Sequence, residues 1–205
     1  MRARGRSRSC GRTLILFLLF LPLLVQRLDV HSRVSEGFSI AYVPHSRIRI
    51  WGNQDFAQLA MQWNWTGNGT AASPYLILGL NVTGSSDIQA DGRPLIHISY
   101  TTVFFHLINC WVEGRGLSEG ILLDTVRNAW ISENVITTTD GAGIRLENSN
   151  RNILLNNTVR DNGGTGIELD RSENSTIINN TIRNNGGAGI ELGESKNSTI
   201  LGIWS

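Results

Sequence analysis

The chain is poor in cysteine, proline and lysine. It has 2 cysteines and 4 prolines among 205 residues, and nearly all of its positive charge is arginine. Cys10 precedes the main apolar run and Cys110 follows it. If the N-terminus is removed on export, Cys110 is left alone, which excludes a fold held by intrachain disulfides. Glycine is abundant instead, with 22 residues, and this indicates a chain rich in turns rather than in helices.

Long apolar stretches are also scarce. The one run of this kind extends from Leu14 to Val25, is broken only by Pro22, and follows five arginines within the first twelve residues. About a dozen apolar residues behind a basic region are typical of a secretory signal and too few to span a bilayer. We therefore predict a signal peptide over residues 1–32, cleaved after Val30-His31-Ser32, with an uncleaved anchor as the alternative. The expected location is secreted, cell-surface or periplasm-like.

Removal of the predicted signal changes the charge balance. It takes away six arginines and one aspartate and leaves 12 basic against 16 acidic residues, a formal charge of −4. An acidic mature chain argues against nucleic acid as a partner.

A 23-residue repeat organises the C-terminal half. The pairs Gly120-Ile121, Gly143-Ile144, Gly166-Ile167 and Gly189-Ile190 are spaced 23 residues apart. Three further columns keep the same spacing: Leu123, Leu146, Leu169 and Leu192; Ile131, Leu154, Ile177 and Ile200; Ile136, Val159 and Ile182. A fixed period over four units indicates a solenoid.

Each repeat contains short strands separated by Gly and Asn turns. Within Gly-Ile-x-Leu-x, apolar and polar residues alternate, as expected for a strand buried on one face. Gly and Asn are expected to supply the positive-φ corners. We predict an all-β fold, a right-handed parallel β-helix with 23-residue coils and inward ladders of Ile, Leu and Val. Asn134, Asn157 and Asn180 form another column, which we interpret as a structural amide ladder.

The segment before the regular repeats is predicted to begin the solenoid. Residues 98–112 fit a less regular coil that places Cys110 in the buried corner column. Phe56, Leu59, Ala60 and Trp63 fit one face of a short capping helix behind an Asn53 or Asp55 cap. The predicted organisation is a signal peptide at 1–32, an N-terminal capping segment with irregular first coils at 33–95, and β-helix repeats at 96–205.

These motifs resemble a known family. Gly-Ile-x-Leu followed by Asn-Ser-Thr-Ile-x-Asn-Asn-Thr-Ile resembles the NosD-like right-handed β-helix proteins, named for a periplasmic copper-binding accessory factor. Residues 48–56, 67–70, 74–77 and 80–84 are similar to the corresponding segment of archaeal surface proteins of this type. The resemblance covers residues 48 to 201 and implies the fold. It leaves the activity open, since related β-helices are lyases, glycosidases, carbohydrate binders and surface scaffolds.

Charge is concentrated at the outward positions of the Gly-Ile-x-Leu strand. One column contains Asp124, Glu147 and Asp170, and the next contains Arg145, Glu168 and Glu191. Three interpretations remain open: a solvated face, a face that binds glycan or a hard cation such as calcium, and a carboxylate pair for catalysis. No cofactor is predicted, although calcium would suit such carboxylates. His97, His106 and Cys110 are too few and too isolated to predict a copper site.

Two other groups of residues could contact ligands. Trp130 belongs to an outward column and is expected to pack under a neighbouring loop or to stack on a sugar. Sequons are frequent, and those at Asn156 and Asn179 belong to the repeat itself. The remaining candidates for glycosylation are Asn64, Asn68, Asn81, Asn174 and Asn197.

The sequence thus predicts an exported binding or structural module that contacts glycans or a partner protein. The alternative is a polysaccharide lyase or glycoside hydrolase that uses the acidic face. The last coil stops short of 23 residues and is expected to expose Ile190, Leu192 and Ile200. Such an end predicts either a longer repeat protein or end-to-end self-association.

Overall fold

The computed structural model describes residues 42–84, 92–115 and 118–205. They belong to one compact unit, Ala41–Ser205. The predicted signal peptide lies outside the described residues. Within the described ranges, no helix has the length and apolar character needed to cross a membrane.

Within the described residues, eighteen strands, numbered along the chain, form three six-stranded sheets. The first sheet contains β2 (Ile48–Trp51), β5 (Ile96–Ser99), β8 (Ile121–Asp124), β11 (Ile144–Glu147), β14 (Ile167–Asp170) and β17 (Ile190–Gly193). The second contains β3 (Tyr75–Leu78), β6 (Phe105–Ile108), β9 (Ala129–Ser132), β12 (Ile153–Leu155), β15 (Thr176–Ile178) and β18 (Thr199–Leu201). The third contains β1 (Val43–His45), β4 (Leu80–Thr83), β7 (Trp111–Glu113), β10 (Val135–Thr137), β13 (Thr158–Arg160) and β16 (Thr181–Arg183).

The chain visits the three sheets in turn and returns to the first, so that each circuit is one coil of a solenoid. All neighbouring strands are parallel, and residues one repeat apart pair directly, as Ile144 does with Ile167 and Leu146 with Leu169. Right-handed connections are the rule for parallel strands joined in this way. The predicted right-handed parallel β-helix with a short N-terminal helix is confirmed.

The core follows from the alternation within each strand. In β8, β11 and β14 the first and third residues are buried, while the second and fourth are partly exposed. The inward residues of successive coils therefore stack as continuous aliphatic ladders. Near the N-terminal end the ladders meet a larger aromatic group, in which the Phe56 ring lies 5.0 Å from the rings of Tyr75 and Phe105.

The capping helix, α1 (Gly52–Gln62), supplies Phe56 and Ala60 to this core. Trp63 does not share the buried face as predicted: the helix ends at Gln62, and the Trp63 side chain is 43% exposed. Its ring lies 4.2 Å from the His45 ring, centroid to centroid.

The predicted N-cap of α1 is wrong: the N-cap residue is Trp51, and Asn53 and Asp55 both lie within the first turn of the helix. Asp55 Oδ2 accepts a hydrogen bond of 2.7 Å from the backbone N–H of Trp51, the N-cap residue. Asn53 does not cap the helix. Its Oδ1 accepts the Thr101 hydroxyl at 2.7 Å and the Thr102 N–H at 2.9 Å, which tie the helix to the corner after β5.

Positive-φ corners are supplied by Gly79, by asparagines and by several other non-glycine residues. Asn156 and Asn179 adopt positive φ as predicted, but so do Thr125, Arg171 and Glu194. The glycines of the Asn-Gly-Gly turns do not adopt positive φ. They are needed because the backbones of neighbouring coils approach each other closely at these turns. A Cβ on Gly163, for example, would lie 2.6 Å from the carbonyl oxygen of Asp140.

The asparagine column forms the amide ladder that the repeat predicts. Asn157 Oδ1 accepts the Asn134 backbone N–H at 3.1 Å and its Nδ2–H at 3.0 Å, while Asn157 Nδ2 donates to Ile131 O and Asn180 Oδ1, each at 2.9 Å. Asn134, Asn157 and Asn180 are all buried. Each amide thus satisfies backbone groups that the corner removes from the strand pairing.

Cys110 occupies the position above this ladder, as predicted. It is fully buried, and its backbone N–H donates to Asn134 Oδ1 at 2.9 Å. Burial raises the pKa of the Cys110 thiol from 9.0 to about 11. The side chain is therefore a neutral thiol at physiological pH.

We expect the Cys110 thiol to resist iodoacetamide in the folded protein at pH 8 and to react within minutes in denaturant, because only the exposed thiolate is nucleophilic. Peptide mapping by mass spectrometry would locate the label. The raised pKa also predicts that folding stability decreases as pH rises from 9.0 through about 11, because the unfolded thiol then loses its proton first. Rapid labelling of Cys110 under native conditions would contradict the buried position.

The last strands are more exposed than those before them. Leu192 is 44% exposed and Ile200 is 38% exposed, as predicted for an open apolar ladder, whereas Ile190 is partly buried against the core. Trp204 continues the third sheet through hydrogen bonds to both sides of Thr181: its N–H donates to Asn180 O and its carbonyl accepts from Ile182 N. End-to-end self-association stays a prediction.

Candidate functional site

The outward positions of the first sheet form a face, here called the outer face, made of two parallel columns. Their register is set by strand pairing, so equivalent residues of successive coils lie side by side at about 4.8 Å. Column one contains Arg49, His97, Leu122, Arg145, Glu168 and Glu191. Column two contains Trp51, Ser99, Asp124, Glu147, Asp170 and Gly193. All six residues predicted as a ligand or cation face therefore share one surface.

A third row of side chains borders column two at the corner where each strand ends. All of its members adopt positive φ, between 47° and 57°, which turns the chain away from the sheet. The row contains Tyr100, Thr125, Asn148, Arg171 and Glu194. The outer face is thus widened by polar and aromatic corner residues, which the sequence analysis did not assign to it.

Arginines bridge the carboxylates in the middle of the outer face. Arg145 lies 3.8–4.0 Å from oxygens of Glu119, Glu147 and Glu168. Arg171 Nη2 lies 2.8 Å from Asp170 Oδ2 and 3.3 Å from Glu147 Oε1. Asp170 also accepts Arg171 Nε–H, and this pairing raises the pKa of Arg171.

This pairing makes the centre of the carboxylate ladder less suited to calcium. The ladder is not a row of bare carboxylates, because guanidinium groups already neutralise its centre. Asp124 and Glu191, toward the two ends, accept hydroxyl hydrogen bonds from Thr125 and Thr165. Among the described residues, no three His, Cys, Asp or Glu side chains are grouped so as to hold a metal ion.

An aromatic pair lies at the N-terminal end of column two and of the corner row. The ring centroids of Trp51 and Tyr100 are 4.5 Å apart at an interplanar angle of 46°. Trp51 is 55% exposed and Tyr100 is 49% exposed, so each presents a ring surface to solvent. This pair was not predicted from the sequence as a functional element. The alternation Ile48-Arg49-Ile50-Trp51 was the available signal, since it places Trp51 outward whenever Ile48 and Ile50 face the core.

A cleft of about 460 Å³ lies where the chain enters the first two strands of the sheet. The described residues that line it include Arg47, Arg49, Arg93 and His97, and none of them is acidic. Burial, and then the nearby Arg49 guanidinium, lower the pKa of His97. Its Nε2 lies 2.8 Å from the Ser99 hydroxyl, which fixes the ring on the face.

The three side chains that could donate to copper, His97, His106 and Cys110, lie on different parts of the solenoid. His97 lies on the outward side of the first sheet and His106 on that of the second, while Cys110 is buried at a corner of the third. Copper needs converging donors and a thiol that ionises readily, whereas Cys110 is held neutral by burial. The described residues therefore do not fit a copper centre.

Trp130 and the candidate glycosylation residues lie away from the outer face. Trp130 is outward on the second sheet, with its ring 5.0 Å from that of His106. Asn64, Asn174 and Asn197 are exposed at positive-φ corners, which leaves their amides accessible. Asn68 Oδ1 accepts the Thr70 hydroxyl and Asn81 Oδ1 accepts the Thr83 hydroxyl, each within its own sequon. Glycosylation of these five asparagines stays a prediction.

Solved structures of two epimerases are among those similar to the chain. The periplasmic alginate epimerase AlgG matches 63% of this chain at 14% identity, with a TM-score of 0.43, over 39% of its own length. The A-module of the mannuronan C-5 epimerase AlgE4 from Azotobacter vinelandii matches 63% at 15% identity, with a TM-score of 0.37, over 46% of its length. This chain spans less than half of each, and at this identity the likeness concerns the fold alone. No curated protein sequence matches the chain.

A family model described as "Periplasmic copper-binding protein (NosD)" matches residues 31–202. That range contains all of the described coils and exceeds the 48–201 over which the motifs resemble this group. The copper named in the family description has no counterpart among the described donor residues of this chain. The resemblance recognised in the repeat is confirmed: the chain belongs to the NosD family of periplasmic parallel β-helix proteins.

Proposed function

We propose that this protein is an exported glycan-binding module that acts in the periplasm or at the cell exterior and holds a saccharide chain along the outer face. The observation that carries the proposal is the exposed Trp51–Tyr100 pair at the end of a continuous polar column. The predicted signal peptide and the periplasmic family support the location.

The aromatic pair supplies the apolar contact. A pyranose ring has one face of C–H groups, and exposed Trp and Tyr rings are the side chains best suited to cover it while their polar atoms remain solvated. The two rings lie against each other at an angle of 46°, and each keeps about half of its surface open to solvent. One sugar unit would stack on this exposed aromatic surface.

The polar residues of column two and the corner row supply hydrogen bonds. From the pair, Asp124 and Glu147 follow at successive coils, with Asn148 and Arg171 beside them. Their spacing of about 4.8 Å is set by the strands and is of the order of one unit in an extended saccharide chain. The arginine pairs hold the carboxylates in place, so little side-chain freedom is lost on binding.

The test is a binding screen with the mature chain against cellohexaose, xylohexaose, maltohexaose, chitohexaose and hexagalacturonate, followed by calorimetry on each ligand that binds. We expect Trp51→Ala and Tyr100→Ala each to weaken binding about tenfold or more, because each removes half of the stacking surface. Trp204→Ala is the matched control, since its side chain is 65% exposed and lies outside the outer face. Equal losses in all three variants would contradict the assignment.

The same samples decide between a binding module and an enzyme. We expect no release of reducing ends and no unsaturated products from any ligand. Turnover that disappears in Asp124→Asn, Glu147→Gln or Asp170→Asn would replace the proposal with the lyase or hydrolase alternative.

A further inference from the structure

Charge is distributed unevenly along the outer face. At the C-terminal end, column one carries Glu168 and Glu191, and column two carries Asp170. At the N-terminal end the acidic residues give way to Arg49 and His97, with Arg47 and Arg93 around the adjoining cleft. The aromatic pair is therefore located at the basic end of an otherwise acidic surface.

Arg49 and Trp51 are outward neighbours on one strand. They alternate with Ile48 and Ile50, which are buried, so both side chains leave β2 on the same side. Two residues of a strand separate them, which corresponds to about 7 Å between their Cα atoms. A group attached to a sugar ring on Trp51 can reach the Arg49 guanidinium across this distance.

Arg49 is also available for such a contact. It is exposed, and within the described residues it makes no ion pair, in contrast to Arg145 and Arg171 further along the face. A guanidinium presents a planar fork of donors that matches the oxygens of a carboxylate or a sulfate. Two further arginines, Arg47 and Arg93, line the same cleft.

We propose that the glycan bound by this face is anionic, and that its carboxylate or sulfate lies in the cleft of Arg47, Arg49 and Arg93 while the adjoining ring stacks on Trp51 and Tyr100. This inference rests on the proposed function and names the ligand class for the same site. The acidic C-terminal end of the face disfavours a second anionic group there, so the charged unit is directed to the cleft.

The experiment compares ligands that differ only in charge. A xylo-oligosaccharide with one terminal glucuronate is paired with its methyl ester, and an oligosaccharide with one sulfate is paired with its unsulfated form, by calorimetry on the intact mature chain. The carboxylate and sulfate arms identify which anion the cleft accepts. Each charged ligand is measured with wild type, Arg49→Gln, Arg93→Gln and Trp51→Ala. Arg183→Gln, an exposed arginine of the third sheet, is the matched charge control.

We expect at least one charged ligand to bind tenfold or more tightly than its neutral partner. Arg49→Gln should lower that affinity by about ten- to a hundredfold and leave the neutral ligand unaffected, since one hydrogen-bonded ion pair is lost. Arg93→Gln should act in the same direction, and Arg183→Gln should have no effect. Trp51→Ala should weaken the charged and the neutral ligand alike.

The outcomes separate the two proposals. Equal binding of charged and neutral ligands, with no effect of Arg49→Gln, overturns the anionic class and leaves glycan binding intact. Charged-ligand binding that falls equally in Arg183→Gln overturns it too, because it then reflects diffuse attraction. Binding that is insensitive to Trp51→Ala overturns the proposed function itself. Circular dichroism confirms that each variant is folded.

Discussion

Gly143→Ala is expected to destabilise the solenoid by about 2 kcal/mol or more. A Cβ at this position would lie 2.3 Å from Val159 Cγ1 and 2.9 Å from the carbonyl oxygen of Gly166. The second contact is with the backbone of the next coil, which strand pairing holds in register. Relief therefore requires two coils to separate, and overpacking of this kind costs about 1–3 kcal/mol or more.

The repeat itself provides the matched control. Gly189 lies in the same column, one repeat after Gly166 and two repeats after Gly143. A Cβ at Gly189 would contact only Ile182 Cγ2, at 3.8 Å. Gly189→Ala is expected to be neutral or to stabilise by up to about 1 kcal/mol, because alanine restricts the unfolded chain. Urea unfolding followed by circular dichroism measures both variants. Equal midpoints for the two would show that the Gly-Ile column does not require close approach.

The repeat explains why so much of the fold could be predicted. A constant 23-residue spacing aligns identical residue types, so the inward direction of Leu146 and Leu169 follows from any one strand of the column. The asparagine ladder follows for the same reason. What the repeat predicts is packing between like residues, and the solenoid provides that contact once per coil.

The candidate site was harder to predict because its distinctive part precedes the regular repeats. Ile48 pairs with Ile96, 48 residues later, and Ile96 pairs with Ile121 after a further 25. The helix and the loops within these intervals break the period, so no fixed spacing relates Trp51 to Tyr100. Their contact arises only when α1 and the corner after β5 are both in place.

The ion pairs on the outer face could also not be predicted from the repeat. Sequence alone placed Arg145 among the acidic columns, but it could not give the reach of Arg171, which follows the strand at a positive-φ corner and turns back to Glu147. Charged residues at such corners are not expected from turn preferences. The two interpretations of this surface made from the sequence, a solvated acidic face and a cation-binding face, did not include neutralisation of the carboxylates by Arg171.

Asn157→Ala is expected to destabilise the protein by about 3–5 kcal/mol. The Asn157 side chain is buried and makes four hydrogen bonds, two at Oδ1 and two at Nδ2. Alanine would leave the Asn134 N–H and the Ile131 carbonyl without these bonds inside the core, where water cannot replace them. Each unsatisfied buried group costs about 1–3 kcal/mol, and the lost side-chain volume adds to this.

Thr158→Ala is the matched control for this variant, since Thr158 is the next residue in the chain and lies on the outward side of β13. It should cost less than about 1 kcal/mol, the range of strand propensities. Chemical denaturation of both variants measures the difference. The buried ladder is also cooperative, because Asn134 and Asn180 each bond directly to Asn157. In the double variant Asn134→Ala/Asn157→Ala the loss should therefore be smaller than the sum of the single losses, whereas strict additivity would contradict a coupled ladder.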